Sequence, residues 1–272
     1  MTEPRVVLGD IVMGESTRWH DGRLWFCDWG AGEVVVLGED GKPEVVARMR
    51  GLPFCIDWLP DGRLLVTGPD GNVLRQEEDG SFGTYAELGG DFPWNDIAVD
   101  ARGNAFVNNI GYDFPGGEPA AGSVVVVTPE GAARQVADGV MFPNGMAVIG
   151  DTLIVAESHA SRLTAFDIAP DGGLSNQRVW AQLDDAAPDG ICVDAEGAVW
   201  YADVPNRQCV RVREGGEILQ TVALDRGGFA CALSDTGTLY AVTADFSNPA
   251  AMFSGRTGQL VAVDVDVPGI AH

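Results

Sequence analysis

The stretch Trp58-Leu59-Pro60-Asp61-Gly62-Arg63-Leu64-Leu65-Val66 decides the fold. Apolar residues flank a Pro-Asp-Gly turn, so the stretch predicts a strand, a tight turn and a second strand. The pattern occurs six times, with the first strand of each pair anchored at residues 19, 58, 99, 148, 193 and 233. The intervals of 39, 41, 49, 45 and 40 residues match the roughly 40–50 residues of a four-stranded propeller blade. We therefore predict an all-β fold, a six-bladed β-propeller with four-stranded antiparallel blades around a central axis.

The segments between these strand pairs complete the blades. A third strand is predicted in five of them, at 33–37, 72–76, 123–128, 163–168 and 210–213. Residues 260–267 alternate as a strand does, and residues 5–8 are expected to pair beside them and close the ring, which removes exposed sheet edges. The Pro- and Gly-rich stretch 113–122 predicts a loop that leaves the blade surface. No apolar stripe of helical period occurs, so helix should be nearly absent and residues 1–272 should form a single domain.

Charge and cysteine content exclude several classes of function. Asp and Glu number 40 against 17 Lys and Arg, and this net charge of −23 repels a phosphate backbone or an anionic membrane surface. We expect a small-molecule substrate and neither nucleic acid nor a membrane as partner, and no specific protein partner is evident. The five cysteines lack CxxC spacing, which predicts reduced, mostly buried thiols. The first residues show no signal peptide, so we expect a cytoplasmic protein.

The position four residues before each anchor carries the candidate chemistry. The six residues there are Glu15, Phe54, Asn95, Asn144, Asp189 and Phe229. Because the inner strands of a propeller all begin around its axis, these positions form one ring. Two carboxylates so close together raise the pKa of one of them strongly, whereas a hard divalent cation accepts carboxylate and amide oxygens together. The ring therefore predicts one divalent metal ion bound by its four polar members, and all-oxygen ligation favours Ca²⁺, Mg²⁺ or Mn²⁺ over Zn²⁺.

Each of these polar residues has a simpler explanation when it is taken alone. Asp189 and Asn144 lie in Pro-Asp-Gly and Pro-Asn-Gly tripeptides, which signal turns. Glu15 alone is consistent with a solvated carboxylate, and Asn95 with a structural cap. Position distinguishes the two explanations, because the Pro-Asp-Gly tripeptide at 60–62 follows its inner strand whereas the one at 188–190 precedes it. Four polar residues in one register favour the ring.

The segments around these four residues resemble a known family. They are Gly14-Glu15-Ser16-Thr17-Arg18-Trp19-His20, Trp94-Asn95-Asp96-Ile97-Ala98-Val99-Asp100, Pro143-Asn144-Gly145-Met146-Ala147-Val148 and Pro188-Asp189-Gly190-Ile191-Cys192-Val193-Asp194. In order and spacing, over residues 9–245, the chain is similar to the regucalcin (senescence marker protein)/gluconolactonase family of six-bladed propeller lactonases. The resemblance implies one divalent ion (calcium, zinc, manganese or magnesium) and hydrolysis of lactones. Glu15, Asn144 and Asp189 match the family's metal ligands, and Asn95 matches a further ligand or a substrate-binding residue.

One departure from the family bears on the substrate. The family often has an arginine two residues before the position of Asn95, where it contacts the hydroxyl groups of a sugar lactone, and this chain has Pro93 there. Six apolar residues complete or flank the ring: Phe54, Phe92, Trp94, Met141, Phe142 and Phe229. Of these, we expect four to bind the substrate together with Asn95, namely Phe54, Trp94, Phe142 and Phe229. The expected substrate is therefore a hydrophobic lactone or ester and not a sugar lactone.

Further polar residues lie beside the ring. The second strand of four blades ends in Asp28, Asn109, Glu157 or Asp203, which either orient the ligands or satisfy strand ends. His159 near the same rim either assists proton transfer or is incidental.

The predicted reaction is hydrolysis by metal-activated water, with Asp189 as ligand and catalytic base. Other reactions and roles fit the same ring. One is cleavage of phosphorus–fluorine or phosphotriester bonds, since related propellers with these ligand types around calcium resemble diisopropylfluorophosphatase. Another is a non-hydrolytic elimination or cyclisation. A third is a non-catalytic binding propeller with a structural metal.

Overall fold

The structure is a computed structural model that describes residues 3–38, 40–90, 93–247, 252–253 and 255–270. Its strands form six four-stranded antiparallel sheets, one for each blade of a six-bladed β-propeller. Blade 1 contains β2 (Gly14–His20), β3 (Arg23–Asp28), β4 (Glu33–Leu37) and β5 (Pro43–Arg48). Blade 2 contains β6 (Ile56–Trp58), β7 (Leu64–Thr67), β8 (Asn72–Gln76) and β9 (Phe82–Glu87). Blade 3 contains β10 (Trp94–Val99), β11 (Ala105–Asn109), β12 (Ala121–Val127) and β13 (Ala133–Met141).

The second half of the chain repeats this arrangement. Blade 4 contains β14 (Pro143–Ile149), β15 (Thr152–Glu157), β16 (Arg162–Ile168) and β17 (Leu174–Gln182). Blade 5 contains β18 (Pro188–Val193), β19 (Val199–Asp203), β20 (Gln208–Val212) and β21 (Ile218–Ala223). Blade 6 contains β22 (Gly227–Leu233), β23 (Thr238–Ala244), β24 (Gly258–Asp264) and β1 (Arg5–Ile11). The predicted fold class and the six repeats are confirmed.

The N-terminal strand closes the ring. β1 pairs antiparallel with β24, with Arg5 opposite Ala262 and Val6 opposite Val261, so the first strand of the chain is the outer strand of the last blade. This pairing joins the two ends of the chain in one sheet and covers the outer edge of β24. The predicted pairing of residues 5–8 is confirmed.

The apolar core lies between the blades. Six hydrophobic clusters each join two neighbouring blades around the ring. Between blades 3 and 4, for example, Phe106 and Leu153 are fully buried in one cluster. Burial of a side chain of this size stabilises the fold by about 1.5–3 kcal/mol, so the blades hold one another in place around the axis. All five cysteines are free, four are buried, and Cys192 is half-buried, as the spacing predicted.

Hairpin turns with glycine connect the two inner strands of most blades. Gly62, Gly103, Gly197 and Gly237 have φ between 77° and 86°, the left-handed region that favours glycine. Each donates its backbone N–H to the residue three positions earlier, which closes the turn. This local chemistry explains why the repeat is visible in the sequence.

Two connections on the face where the inner strands begin are long. Trp94 at the start of β10 pairs with Asn109 at the end of β11, so the segment 110–120 leaves blade 3 on this face. By the same register, Ala244 at the end of β23 pairs with Gly227 at the start of β22, so β23 also ends on this face of the propeller. In the described part of the chain, no helix is long and apolar enough to cross a membrane.

Candidate functional site

The polar residues of the predicted ring all lie at the start of inner strands. Glu15 is the second residue of β2, Asn95 of β10, Asn144 of β14 and Asp189 of β18. In each strand the pairing with the next strand is irregular just at or after this residue. A β-bulge of this kind re-aims a side chain, which here turns the polar group toward the axis.

Direct contacts join three of the four polar residues. Asn95 Nδ2 donates to Asn144 Oδ1 over 3.3 Å and to the Pro143 carbonyl over 3.1 Å. The Asn144 side chain also hydrogen-bonds Asp189, which partly offsets the rise that burial causes in the pKa of Asp189. The Glu15 and Asp189 carboxylates are close enough to repel each other. This repulsion adds to burial in raising the pKa of Glu15. The structure thus brings together all four residues that the sequence predicted as metal ligands.

Glycine follows two of these residues because the inner strands approach closely. A Cβ atom at Gly145 would lie 2.6 Å from the Asp189 carbonyl oxygen, and one at Gly190 would lie 2.5 Å from Ala230 Cβ. No real Cβ tolerates such contacts with backbone, so blades 4, 5 and 6 converge on the axis only because these positions lack a side chain. Close packing of the inner strands therefore requires glycine at 145 and 190, the third position of each tripeptide.

Burial dominates the electrostatics of the ring. Burial raises the pKa of Glu15 well above its ordinary value, and the carboxylates of Asp189 and Asp96 raise it further. Burial also raises the pKa of Asp189, again with a contribution from Asp96. Asp189 Oδ1 is buried and has no hydrogen-bond partner among the residues that the structure describes. A buried carboxylate oxygen without a partner is costly, and a cation is the partner that removes this cost.

The donor set of the ring fits a divalent cation. It offers two carboxylates and two amide groups, the hard oxygen donors that Ca²⁺, Mg²⁺ and Mn²⁺ prefer. Across the described ranges, no group of three or more His, Cys, Asp and Glu side chains has the arrangement of a metal site. The ring differs from such groups because half of its donors are asparagines. The orphan oxygen of Asp189 provides the structural evidence that the ring fits a metal ion.

A buried ion pair lies directly below the ring. The Arg18 guanidinium donates to Asp96 Oδ1 over 2.8 Å and to the Ile97 carbonyl over 3.0 Å, and the two charged side chains are only 16% and 6% exposed. Burial alone would lower the pKa of Arg18, but Asp96 and Asp57 raise it above its ordinary value, so it stays charged. Asp96 Oδ2 accepts the Met146 backbone N–H over 2.7 Å. This pair joins blades 1, 3 and 4 beneath the candidate metal site.

Three buried carboxylates hold the chain that leads into the ligand strands. Asp28 accepts the backbone N–H groups of Val12 and Met13 over 3.1 and 3.0 Å, just before Glu15. Glu157 accepts that of Met141 over 2.6 Å, three residues before Asn144, and Asp203 accepts that of Ala187 over 3.3 Å, two residues before Asp189. These are three of the four strand-end residues noted in the sequence. They position the backbone of the ligand segments.

The predicted substrate-binding aromatic residues differ in their accessibility. Phe54 is fully enclosed between blades 1 and 2, and Phe229 is packed with Met13 and Ala244. Trp94 is 4% exposed and donates its indole N–H to the Gly89 carbonyl over 2.8 Å. Phe142, which is half-buried, is the most accessible of the four. Phe92 lies outside the described residues.

His159 and Phe142 lie next to the ring through Asn144. Phe142 is two residues before Asn144, whose Nδ2 is 3.4 Å from Ser158 Oγ, and His159 follows Ser158. The His159 ring stacks on Phe142 with centroids 4.5 Å apart. Partial burial lowers the pKa of His159, so its imidazole is neutral at neutral pH.

Sequence reasoning missed Arg18, Asp96 and Ser158. Arg18 and Asp96 stand inside the quoted segments, so the available signal was an additional charged residue three positions after Glu15 and one position after Asn95. A buried Arg and Asp in strands of different blades suggest an ion pair, but only the structure shows that they meet.

Comparison with known proteins places these observations in a family. The family profile described as "SMP-30/Gluconolactonase/LRE-like region" matches residues 13–245. The chain is 30% identical to regucalcin from Xenopus laevis over 237 residues, covering 80% of this chain and 78% of that protein. It is 29% identical to L-arabinolactonase from Azospirillum brasilense over 246 residues, covering 86% and 81%. It is 30% identical to diisopropyl-fluorophosphatase from Loligo vulgaris over 204 residues, covering 64% and 63%.

Proposed function

The chain belongs to the SMP-30/gluconolactonase/LRE-like family, and from this membership and the ring at its axis we propose that it is a divalent-metal-dependent lactonase or esterase. The family resemblance predicted from the sequence is confirmed. The observation that supports the proposal most strongly is Asp189 Oδ1, a buried carboxylate oxygen without a partner inside a ring of oxygen donors. A relative named L-arabinolactonase supports the reaction class.

Glu15, Asn95, Asn144 and Asp189 would hold the ion. When bound, a divalent cation supplies Lewis-acid polarisation of a carbonyl group and lowers the pKa of an attacking water. The chain's own residues orient the ligands, because the hydrogen bonds among Asn95, Asn144 and Asp189 fix the amide and carboxylate planes. The backbone contacts of Asp28, Glu157 and Asp203 hold the segments that carry three of the ligands.

Asp189 is proposed to hold the ion and to accept the proton of the attacking water. The water oxygen adds to the lactone carbonyl carbon, the ring C–O bond breaks, and the proton passes to the leaving oxygen, giving a hydroxy acid. Asn95, which lies beside Asn144 and carries an amide, is proposed to position the substrate. A carboxylate beside a cation is a weak base, so Asp189 works only in concert with the bound ion.

The residues around the ring favour an apolar substrate. Pro93 stands where the family often has arginine, so this chain lacks that contact with sugar hydroxyls. Phe142 is partly exposed and lies two residues before Asn144, which places an apolar residue near the site. We therefore propose a hydrophobic lactone or ester in preference to a sugar lactone. Faster turnover of gluconolactone than of alkyl or aryl lactones would contradict this.

A second candidate function is hydrolysis of organophosphates. The specific observation that favours it is the relative named diisopropyl-fluorophosphatase. The ring of oxygen donors suits a phosphoryl oxygen as well as a carbonyl oxygen, because either binds to a hard cation. A comparison of lactone turnover with phosphotriester turnover distinguishes the two electrophiles.

The test is metal analysis of the purified protein coupled to a pH-indicator hydrolysis assay over lactones, aryl esters and phosphotriesters. About one equivalent of divalent metal and lactone hydrolysis that stops on chelation are expected. Phosphotriester turnover without lactone turnover would favour the second candidate. Metal without any hydrolysis would favour a structural metal or a non-hydrolytic reaction, and absence of metal would refute the ring as a metal site.

Asp189→Asn provides the residue-level test, and the chain offers a matched control. Asp61 also lies in a Pro-Asp-Gly tripeptide, where its exposed side chain contacts Arg63 in a hairpin turn. Asp189→Asn should lower kcat/KM by at least about 100-fold, the scale of losing a general base, while the protein stays folded. Asp61→Asn should leave turnover within about twofold, since it is a surface change. An active Asp189→Asn variant would refute the assignment.

A further inference from the structure

Four rings from three segments of the chain meet at the junction of blades 3 and 4. Phe114 and Phe142 have centroids 5.0 Å apart in an edge-to-face arrangement, and Tyr112 lies 6.2 Å from Phe114 and 6.0 Å from Phe142. His159 stacks on Phe142 at 4.5 Å. We name Tyr112, Phe114, Phe142 and His159 the rim cluster. Tyr112 and Phe114 belong to the long segment 110–120 of blade 3.

The rim cluster is continuous with the candidate metal site. Phe142 precedes Asn144 by two residues, and two residues of chain span at most about 7 Å. His159 follows Ser158, whose hydroxyl is 3.4 Å from Asn144 Nδ2 and donates to the Pro188 carbonyl over 2.7 Å. A substrate whose carbonyl lies at the ring therefore has the rim cluster within reach of its substituents.

The exposed rings of this cluster are those of Phe114 and His159, and neither is charged at neutral pH. Phe114 is 52% exposed although it is a large hydrophobic residue, and Tyr112 beneath it is 5% exposed. His159 is partly desolvated, and its lowered pKa leaves it neutral at neutral pH. The backbone of Phe142 has φ 52°, a left-handed conformation that is rare for a bulky residue and is typical of functional sites. The cluster thus offers a preformed stack of rings in which the Phe114 and His159 rings are open to solvent.

We propose that the rim cluster binds an aryl substituent of the substrate, so that the preferred substrates are aryl-substituted lactones or esters. A planar apolar group completes the edge-to-face and stacked contacts that the four rings already make. The proposal deepens the proposed lactonase function and rests on it for the position of the carbonyl group. It assigns specificity to Phe114, which is not one of the four candidate metal ligands.

The experiment compares γ-phenyl-γ-butyrolactone with γ-methyl-γ-butyrolactone in the wild type, in Phe114→Ala and in Phe114→Tyr. Phe114→Ala should lower kcat/KM for the phenyl lactone about tenfold, mainly through KM, and leave the methyl lactone within about twofold. Phe114→Tyr, which keeps the ring, should retain the preference. Val179→Ala is the matched control, because Val179 is also 52% exposed but lies in the outer strand of blade 4. Equal losses for both lactones, or no loss for either, would overturn the proposal.

A second measurement separates this inference from the proposed function. The chain has three histidines, so the ring-proton NMR signals of His159 are readily assigned with a His159→Gln variant. Titration with the phenyl lactone in metal-free protein should shift the His159 signals, and Phe114→Ala should weaken this binding about tenfold. If the shift occurs but no lactone is hydrolysed, the proposed function fails and the aryl site stands. Hydrolysis of the phenyl lactone without a shift that depends on Phe114 refutes the aryl site alone.

Discussion

The buried ion pair below the ring makes a quantitative prediction about stability. Arg18→Met removes the partner of Asp96, and both side chains are nearly inaccessible to water. Loss of one member of a buried pair costs about 3–5 kcal/mol, because it leaves an uncompensated buried charge. Asp96 keeps the hydrogen bond from the Met146 backbone, so we expect a loss near the lower end, about 3 kcal/mol.

Chemical denaturation and thermal melting of the metal-free protein measure this loss. For 272 residues the unfolding entropy is about 0.6 kcal/mol per degree, so about 3 kcal/mol lowers the Tm by about 5 °C. Asp96→Asn and the double variant complete a double-mutant cycle, in which the double variant should cost less than the sum of the single ones, because no charge is left unpaired. Arg102→Met is the control, since Arg102 pairs with Asp151 over a similar 2.7 Å but at 40% and 67% exposure.

The surface pair should contribute less than about 1 kcal/mol. If Arg18→Met costs no more than Arg102→Met, the argument from burial is wrong.

Two further predictions concern the ring itself. Because the pKa values of Glu15 and Asp189 are raised in the fold, the metal-free folded state binds more protons than the unfolded state above about pH 5, and its free energy of unfolding should fall as the pH rises through the raised pKa values. Saturating divalent cation should reverse this fall in the free energy of unfolding, and Glu15→Gln should make its pH dependence weaker in calorimetry. A metal-free protein that becomes more stable as the pH rises through this range would contradict the burial of these carboxylates. Gly145→Ala should lower the free energy of unfolding by at least about 2 kcal/mol and weaken metal binding in calorimetric titration, because its Cβ meets the Asp189 carbonyl oxygen at 2.6 Å. Gly9→Ala is the control, since Gly9, like Gly145, lacks a positive φ but has open space around its Cβ position, and an equal loss of metal affinity there would refute the packing argument.

The fold was predictable because its unit is local. Each inner hairpin is specified by a few residues, such as the turn glycine at 62 with its left-handed φ, and six such units at regular spacing leave one architecture. The ring was predictable for a related reason. Asp189 and Asp61 each lie in a Pro-Asp-Gly tripeptide, and only the position of the tripeptide relative to the inner strand distinguishes a candidate site residue from a turn residue. The structure places Asp189 at the axis and Asp61 in a surface turn.

The layer below the ring was not predictable from alternation along a strand. Counting by two from Glu15 predicts that Thr17 and Trp19 face the axis. In the structure, Ser16 and Arg18 line the cavity at the axis instead. The irregular pairing between Glu15 and Arg18 shifts the strand by one residue and reverses the two faces. The rim cluster was missed for another reason, since the path of the segment 110–120 follows no period and brings Phe114 to Phe142 only in three dimensions.

Arg18 and the proposed ion neutralise different carboxylates along the axis. Glu15 and Asp189 lie in the ring and Asp96 lies below it, and of the described residues that line the axial cavity Arg18 alone carries a positive charge. The Arg18 guanidinium donates to Asp96 and to the carbonyl oxygens of Thr17 and Ile97, so its hydrogen bonds serve the layer below the ring. Among the described residues Asp189 Oδ1 still lacks a hydrogen-bond partner, which is why we propose a separate cation for the ring. Chelation should therefore abolish turnover and leave the Arg18 network intact, whereas loss of Arg18 should weaken the fold even before any ion is bound.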